Sequence, residues 1–131
     1  MASQPASRFE ITYVQADYGL RAHVSGINGD LETTLAYWRD IAAQVRRLRP
    51  KAVLVVDDMD GEPPPPEELL TFVLSMKGEG MEGIRIAYVE RDTLHIPKVE
   101  LAGLLANEHG FDARIFDREQ AALAWLRYGE R

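Results

Sequence analysis

Residues 52–62 read Ala52-Val53-Leu54-Val55-Val56-Asp57-Asp58-Met59-Asp60-Gly61-Glu62, and four prolines follow, Pro63, Pro64, Pro65 and Pro66. The first five residues are apolar, mostly β-branched and uninterrupted. A strand with one wet face alternates apolar and polar residues. A continuous apolar run is what a strand needs when helices cover both faces of its sheet. The abrupt change to acids reads as the end of that strand, and the acids with the prolines read as a stiff loop. Proline cannot continue a strand ladder, but the last one suits a first helical turn, where its missing N–H is not needed. A buried strand, a loop and a new helix together point to an α/β sheet.

Working toward the N-terminus, Pro50 ends a long amphipathic helix. Leu31, Leu35, Trp38, Ile41, Ala42, Val45 and Leu48 fall at spacings of three and four, and Asp30 is placed to cap its start. Before it, Phe9, Ile11 and Tyr13 alternate with polar residues, as do Leu20, Ala22 and Val24. With a turn over 15–19 between them, the two runs predict a β-hairpin. Residues 1–7 are small and polar and read as a flexible tail, leaving 8–131 as a single domain.

Toward the C-terminus, Glu67 and Glu68 favour a helix start, and Leu69, Leu70, Phe72, Val73 and Met76 form its apolar face. Gly78, Gly80 and Gly83 lead into a fourth strand over 84–89. Pro97 opens a helix with Val99, Leu101, Leu104 and Leu105 inward and Gly110 as its stop. A short strand over 113–116 follows. Asp117 and Gln120 resemble a capping box for a last helix. The predicted order is ββαβαβαβα: an N-terminal hairpin, then alternating helices and strands, in a mixed, mostly parallel sheet with helices packed on it.

Composition narrows the function. The chain has 131 residues and is 46% hydrophobic, enough for one core without disulfides or a structural metal. It has no cysteine, which excludes thiolate metal sites, iron–sulfur clusters and cysteine nucleophiles. That absence, and a start without a basic or apolar leader, set the expectation of a cytoplasmic protein. No apolar run approaches the roughly 20 residues of a membrane helix. The formal net charge is −6, and the one basic cluster, Arg46, Arg47, Arg49 and Lys51, sits where cations complement a helix end. Nucleic acid is therefore not an expected partner.

The ending Phe111-Asp112-Ala113-Arg114-Ile115-Phe116-Asp117, then Glu119-Gln120-Ala121-Ala122-Leu123-Ala124-Trp125-Leu126, carries a likeness, as does Gly83-Ile84-Arg85-Ile86-Ala87-Tyr88-Val89. With the element order, these stretches resemble the bacterial SpoIIAA-like (STAS/SEC14-type) proteins. The resemblance implies a small α/β domain and, for most members, no settled biochemical role. STAS relatives that antagonise anti-sigma factors carry a phosphorylatable serine after the central strand. Here Asp57-Asp58-Met59-Asp60-Gly61 stands in that place without Ser or Thr, so the resemblance does not bring a phosphoswitch with it.

The acidic residues Asp57, Asp58, Asp60 and Glu62 follow a buried strand, at the edge where open α/β sheets bind ligands. The ordinary reading is a solvated turn. The sharper readings are a weak divalent-cation site, since hard cations take oxygen ligands, or a partner contact. His23, His95 and His109 are scattered, with no metal-ligand pair among them. Gly78-Glu79-Gly80-Met81-Glu82-Gly83 echoes a dinucleotide fingerprint but lies after a helix and before a strand, the reverse of the required context. Trp38, Phe72, Met76 and Trp125 fall on apolar helix faces and read as core, or as the wall of an apolar pocket like that of lipid-carrying relatives.

The expectation is a non-enzymatic binding or interaction module with no catalytic residue, no metal and no cofactor. Its ligand or partner surface comprises Asp57, Asp58, Asp60, Pro63 and Glu67, with Met76 and Met81 nearby. The expected partner is a protein or a small apolar or anionic ligand, and homodimerisation through an exposed edge strand is open. The alternative is an enzyme of unrecognised type in which Asp57 or Asp58 works with a distant histidine.

Overall fold

The protein's structure is a computed structural model, and it describes residues 8–129. The proposed tail, residues 1–7, lies outside the described residues. Strands β1 (Phe9–Ala16), β2 (Gly19–Ile27), β3 (Ala52–Asp60), β4 (Arg85–Glu90) and β5 (Asp112–Phe116) form one sheet in that spatial order. β1 and β2 make the predicted antiparallel hairpin, and every later neighbour is parallel. The helices are α1 (Leu31–Leu48), α2 (Pro66–Ser75), α3 (Ile96–Glu108) and α4 (Glu119–Tyr128), with a 3-10 turn at Thr93–His95 before α3. The α/β alternation read from the sequence is the observed one.

This strand order explains the layering. Each crossover from β2 onward steps one strand in the same direction. Right-handed crossovers that never reverse direction put all their helices on one face. α1, α2 and α3 accordingly cover the front, where Tyr37, Ile41, Val73 and Val99 meet Leu20, Val24, Val53 and Val55. α4, which crosses to no further strand, packs on the back against Leu54, Val56, Ala87 and Val89 through Ala122 and Trp125. β3 is therefore covered on both faces, as its unbroken apolar run required. β2 is covered on the front only, and its Leu20, Ala22 and Val24 are buried while Arg21, His23 and Ser25 are half-buried.

Four details differ from the sequence reading. The acids do not form a loop: β3 continues to Asp60, because Val24, Ser25, Gly26 and Ile27 of β2 pair with Asp57, Asp58, Met59 and Asp60. A neighbouring strand that satisfies the backbone overrides the turn composition. The buried stripe of α1 is Thr33, Thr34, Tyr37, Ile41, Ala42 and Val45, so Leu31 and Leu35 are only half-buried. Leu104, expected inward, is 63% exposed. The capping box at Asp117 does not form: Arg118 is the N-cap of α4, with no side-chain cap bond.

Gly61 ends β3 with φ +99°, and a Cβ there would collide with the Asn28 carbonyl. Asn28 is itself held by its amide donating to the Asp60 carbonyl at 2.8 Å. Gly61→Ala is expected to cost about 1–3 kcal/mol, from left-handed strain plus displacement of the 28–30 loop. Urea unfolding of the variant checks this, and an unchanged midpoint would show that the loop gives way freely.

Candidate functional site

Between the front of the sheet and helices α1, α2 and α3 lies a cavity of about 110 Å³. Its walls are largely apolar, with Phe72, Met76, Met81, Ile86 and Phe111 among them. It exists partly because α3 presents Ala102, Gly103 and Ala106 to it, where larger side chains would fill the space. Trp38 stacks on Tyr88 at a centroid distance of 5.9 Å and 17° between planes, and Phe72 packs 5.9 Å from Trp38.

The polar lining gathers at the C-terminal edge of β3 and β4. Asp57 and Glu90 are register partners, and each lies two residues beyond a front-facing residue, Val55 and Tyr88 respectively. Strand periodicity of two therefore aims both carboxyl groups at the cavity. They are 6% and 4% exposed. Tyr88 Oη donates to Asp57 Oδ2, and the Met59 amide donates to Asp57 Oδ1 at 2.8 Å. The Asp92 amide donates to Glu90 Oε2 at 3.1 Å. Glu90 Oε1 lies 4.0 Å from His95 Nδ1, beyond hydrogen-bonding distance. The Thr34 hydroxyl donates to Asn28 Oδ1 at 3.1 Å beside them.

Burial pushes the Asp57 carboxyl above its ordinary range, against the Tyr88 and Met59 hydrogen bonds that hold it down. Burial, reinforced by the charge of Asp57, pushes Glu90 up to about 7. Tyr37 and Tyr88 are also raised, chiefly by burial. Two carboxyl groups sharing a dry site cannot both ionise cheaply.

The expected site residues divide. Asp57, Pro63, Met76 and Met81 line the cavity. Asp58, one residue on, faces the back of the sheet, where it meets His23 Nε2 at 2.8 Å and Arg91 Nε at 3.7 Å. Asp60 and Glu67 are exposed and line no part of the cavity. The acidic run is thus split by strand alternation and is not one oxygen cluster. Among the described residues, no group of three or more His, Asp and Glu side chains is arranged to hold a metal ion. The acid–histidine contact at Asp58 and His23 belongs to a half-exposed network that runs through Arg91 to Glu119 and Arg21, away from the cavity.

Sequence reasoning passed over Glu90, Tyr88, Asn28, Thr34 and His95. One signal was available: the apolar runs of β3 and β4 each end in an acid, Val56-Asp57 and Val89-Glu90. His95, expected near a helix start, occupies the N-cap of α3 without capping it by its side chain.

No family model and no curated protein matches the chain. Among solved structures it is similar to an uncharacterised protein of the DUF3478 family with a SpoIIAA-like fold, from Shewanella loihica PV-4. That match has a TM-score of 0.55 and 15% identity, and covers 96% of this chain and 99% of the other. At that identity the likeness speaks for the fold, and the chain is a single α/β domain with a SpoIIAA-like fold, as its closing strand and helix suggested. Among the described residues, no helix is long and apolar enough to cross a membrane.

Proposed function

We propose that this protein is a non-enzymatic binding module that holds a compact, mainly apolar molecule in the cavity beneath α1, α2 and α3. The observation that carries the reading is the cavity itself: apolar walls, with the few polar groups gathered at the C-terminal ends of β3 and β4. Open α/β sheets bind ligands at that edge, and small-molecule sites pair apolar walls with a few placed polar groups. Benzene fills an apolar cavity of roughly 150 Å³, so this smaller space of about 110 Å³ takes a ring only where the ring projects from it or the walls give way. Asp57, Pro63, Met76 and Met81 belong to this site in the proposal, joined by Glu90 and Tyr88.

Ala102→Leu tests it. Ala102 lines the cavity from α3, and leucine there fills the space at little helical cost. Amide chemical shifts would be followed while benzyl alcohol and benzylamine are titrated in. Wild type is expected to shift at Met76, Tyr88 and Gly103 with at least one probe, and Ala102→Leu with neither. Shifts that persist in Ala102→Leu, or that never appear in wild type, would overturn the reading.

A second reading, acid–base catalysis, is favoured by Glu90, whose near-neutral pKa suits proton transfer in a cleft. Turnover of a bound probe that disappears in Glu90→Gln would move the balance to it.

A further inference from the structure

We infer that the ligand this cavity takes is a compact organic cation, an ammonium group on a small apolar body, with its charge beside Asp57 and Glu90 and its body against Trp38 and Phe72. The inference rests on the binding reading above and deepens it by naming the ligand class.

Three observations converge. First, the cavity has two buried carboxyl groups as register neighbours, and no lysine or arginine among the described residues that line it. Buried acids without a cation are costly, and proteins ordinarily pair them. Second, the one basic group among the described lining residues, His95, has three acids around it: Glu90 at 4.0 Å, Glu62 at 3.5 Å and Asp92 at 3.6 Å. Glu90 Oε1 accepts no hydrogen bond from it. Third, the aromatic side chains of Trp38, Phe72 and Tyr88 line the same cavity, and an aromatic ring's negative quadrupole favours a cation. A neutral apolar ligand would use the walls and bring the acids no counter-charge. An anion would meet two carboxyl groups. An ammonium ion answers both features at once.

The ionisable groups facing Glu90 are Asp57 from β3, Tyr37 from α1, Tyr88 from its own strand, and Asp92 and His95 from the segment leading into α3. Of these only His95 carries positive charge in any state. A bound cation therefore lets Glu90 lose its proton.

Benzylamine, benzyl alcohol and benzoate share one ring and differ in charge. Calorimetric titration of each into the full chain at pH 7 is expected to rank benzylamine at least about tenfold tighter than benzyl alcohol, with benzoate last. Repeating the benzylamine titration in buffers of different ionisation enthalpy is expected to show net proton release. Glu90→Gln and Asp57→Asn are each expected to weaken benzylamine by about tenfold and to change benzyl alcohol less than about threefold. If benzyl alcohol binds as tightly as benzylamine, the cation inference fails and the binding reading stands. If neither binds, both fail. If benzylamine is favoured but both variants bind it like wild type, the carboxyl groups are not its partners and the inference fails.

Discussion

Glu90→Gln is expected to stabilise the protein by about 2 to 3 kcal/mol at pH 8 and to leave its stability almost unchanged near pH 4. Glu90 is 4% exposed and its pKa is raised from 4.5 to about 7, by burial first and then by the charge of Asp57. In the unfolded chain the group ionises near its ordinary value. Between about 4.5 and 7 the native state thus holds a proton that the unfolded state has lost, so stability falls as pH rises through that window and levels off above it. Asp57, also raised by burial, adds a loss of the same sign. Glutamine keeps the shape and can still accept from the Asp92 amide, but it cannot ionise. Urea unfolding from pH 4 to 8 should give a descending curve for wild type and a flatter one for Glu90→Gln. Parallel curves would mean that Glu90 titrates normally.

Trp125→Ala is expected to lose about 3 to 5 kcal/mol, while Trp125→Phe stays within about 1 kcal/mol of wild type. Trp125 anchors α4, which is the cover of the back face over Leu54, Val56, Ala87 and Val89. The guanidinium groups of Arg85 and Arg114 lie 5.0 and 5.1 Å from its ring centroid, and Arg85 donates to the Trp125 carbonyl at 2.8 Å and to the Gly129 carbonyl at 2.7 Å. Alanine removes the ring that both cations share and opens the back core to water. Phenylalanine keeps a ring there. It also removes the indole Nε1–H, which is buried without a partner among the described residues, so the lost area is offset by a lost desolvation cost. Urea midpoints of both variants decide this, with proteolysis of α4 as a second readout. If Trp125→Phe falls as far as Trp125→Ala, the anchor depends on the indole itself and not on ring area.

The order of elements and most of the buried strand residues were legible in the amino-acid sequence. The signals were local: alternation in the hairpin, the unbroken run over 52–56, three-and-four spacing in α1, and proline and glycine at boundaries. These follow from periodicities of two and 3.6 that a short window contains. The resemblance at the closing strand and helix pointed to the fold that the structure has.

Pairing across distance came from the folded arrangement and from no local stretch of chain. Asp57 and Asp58 are neighbours in the chain, yet the pleat sends one to the cavity and the other to His23 on the back. Asp57 and Glu90 are far apart in sequence, yet register makes them neighbours. The acids read as a turn because turn composition is a local statistic, whereas β3 runs on to Asp60 because β2 was there to pair with it. The cavity has the same origin. Small residues on α3 become empty space only when α1, α2 and the sheet stand around them, and no local period of the chain encodes where helices from three different crossovers will leave a gap.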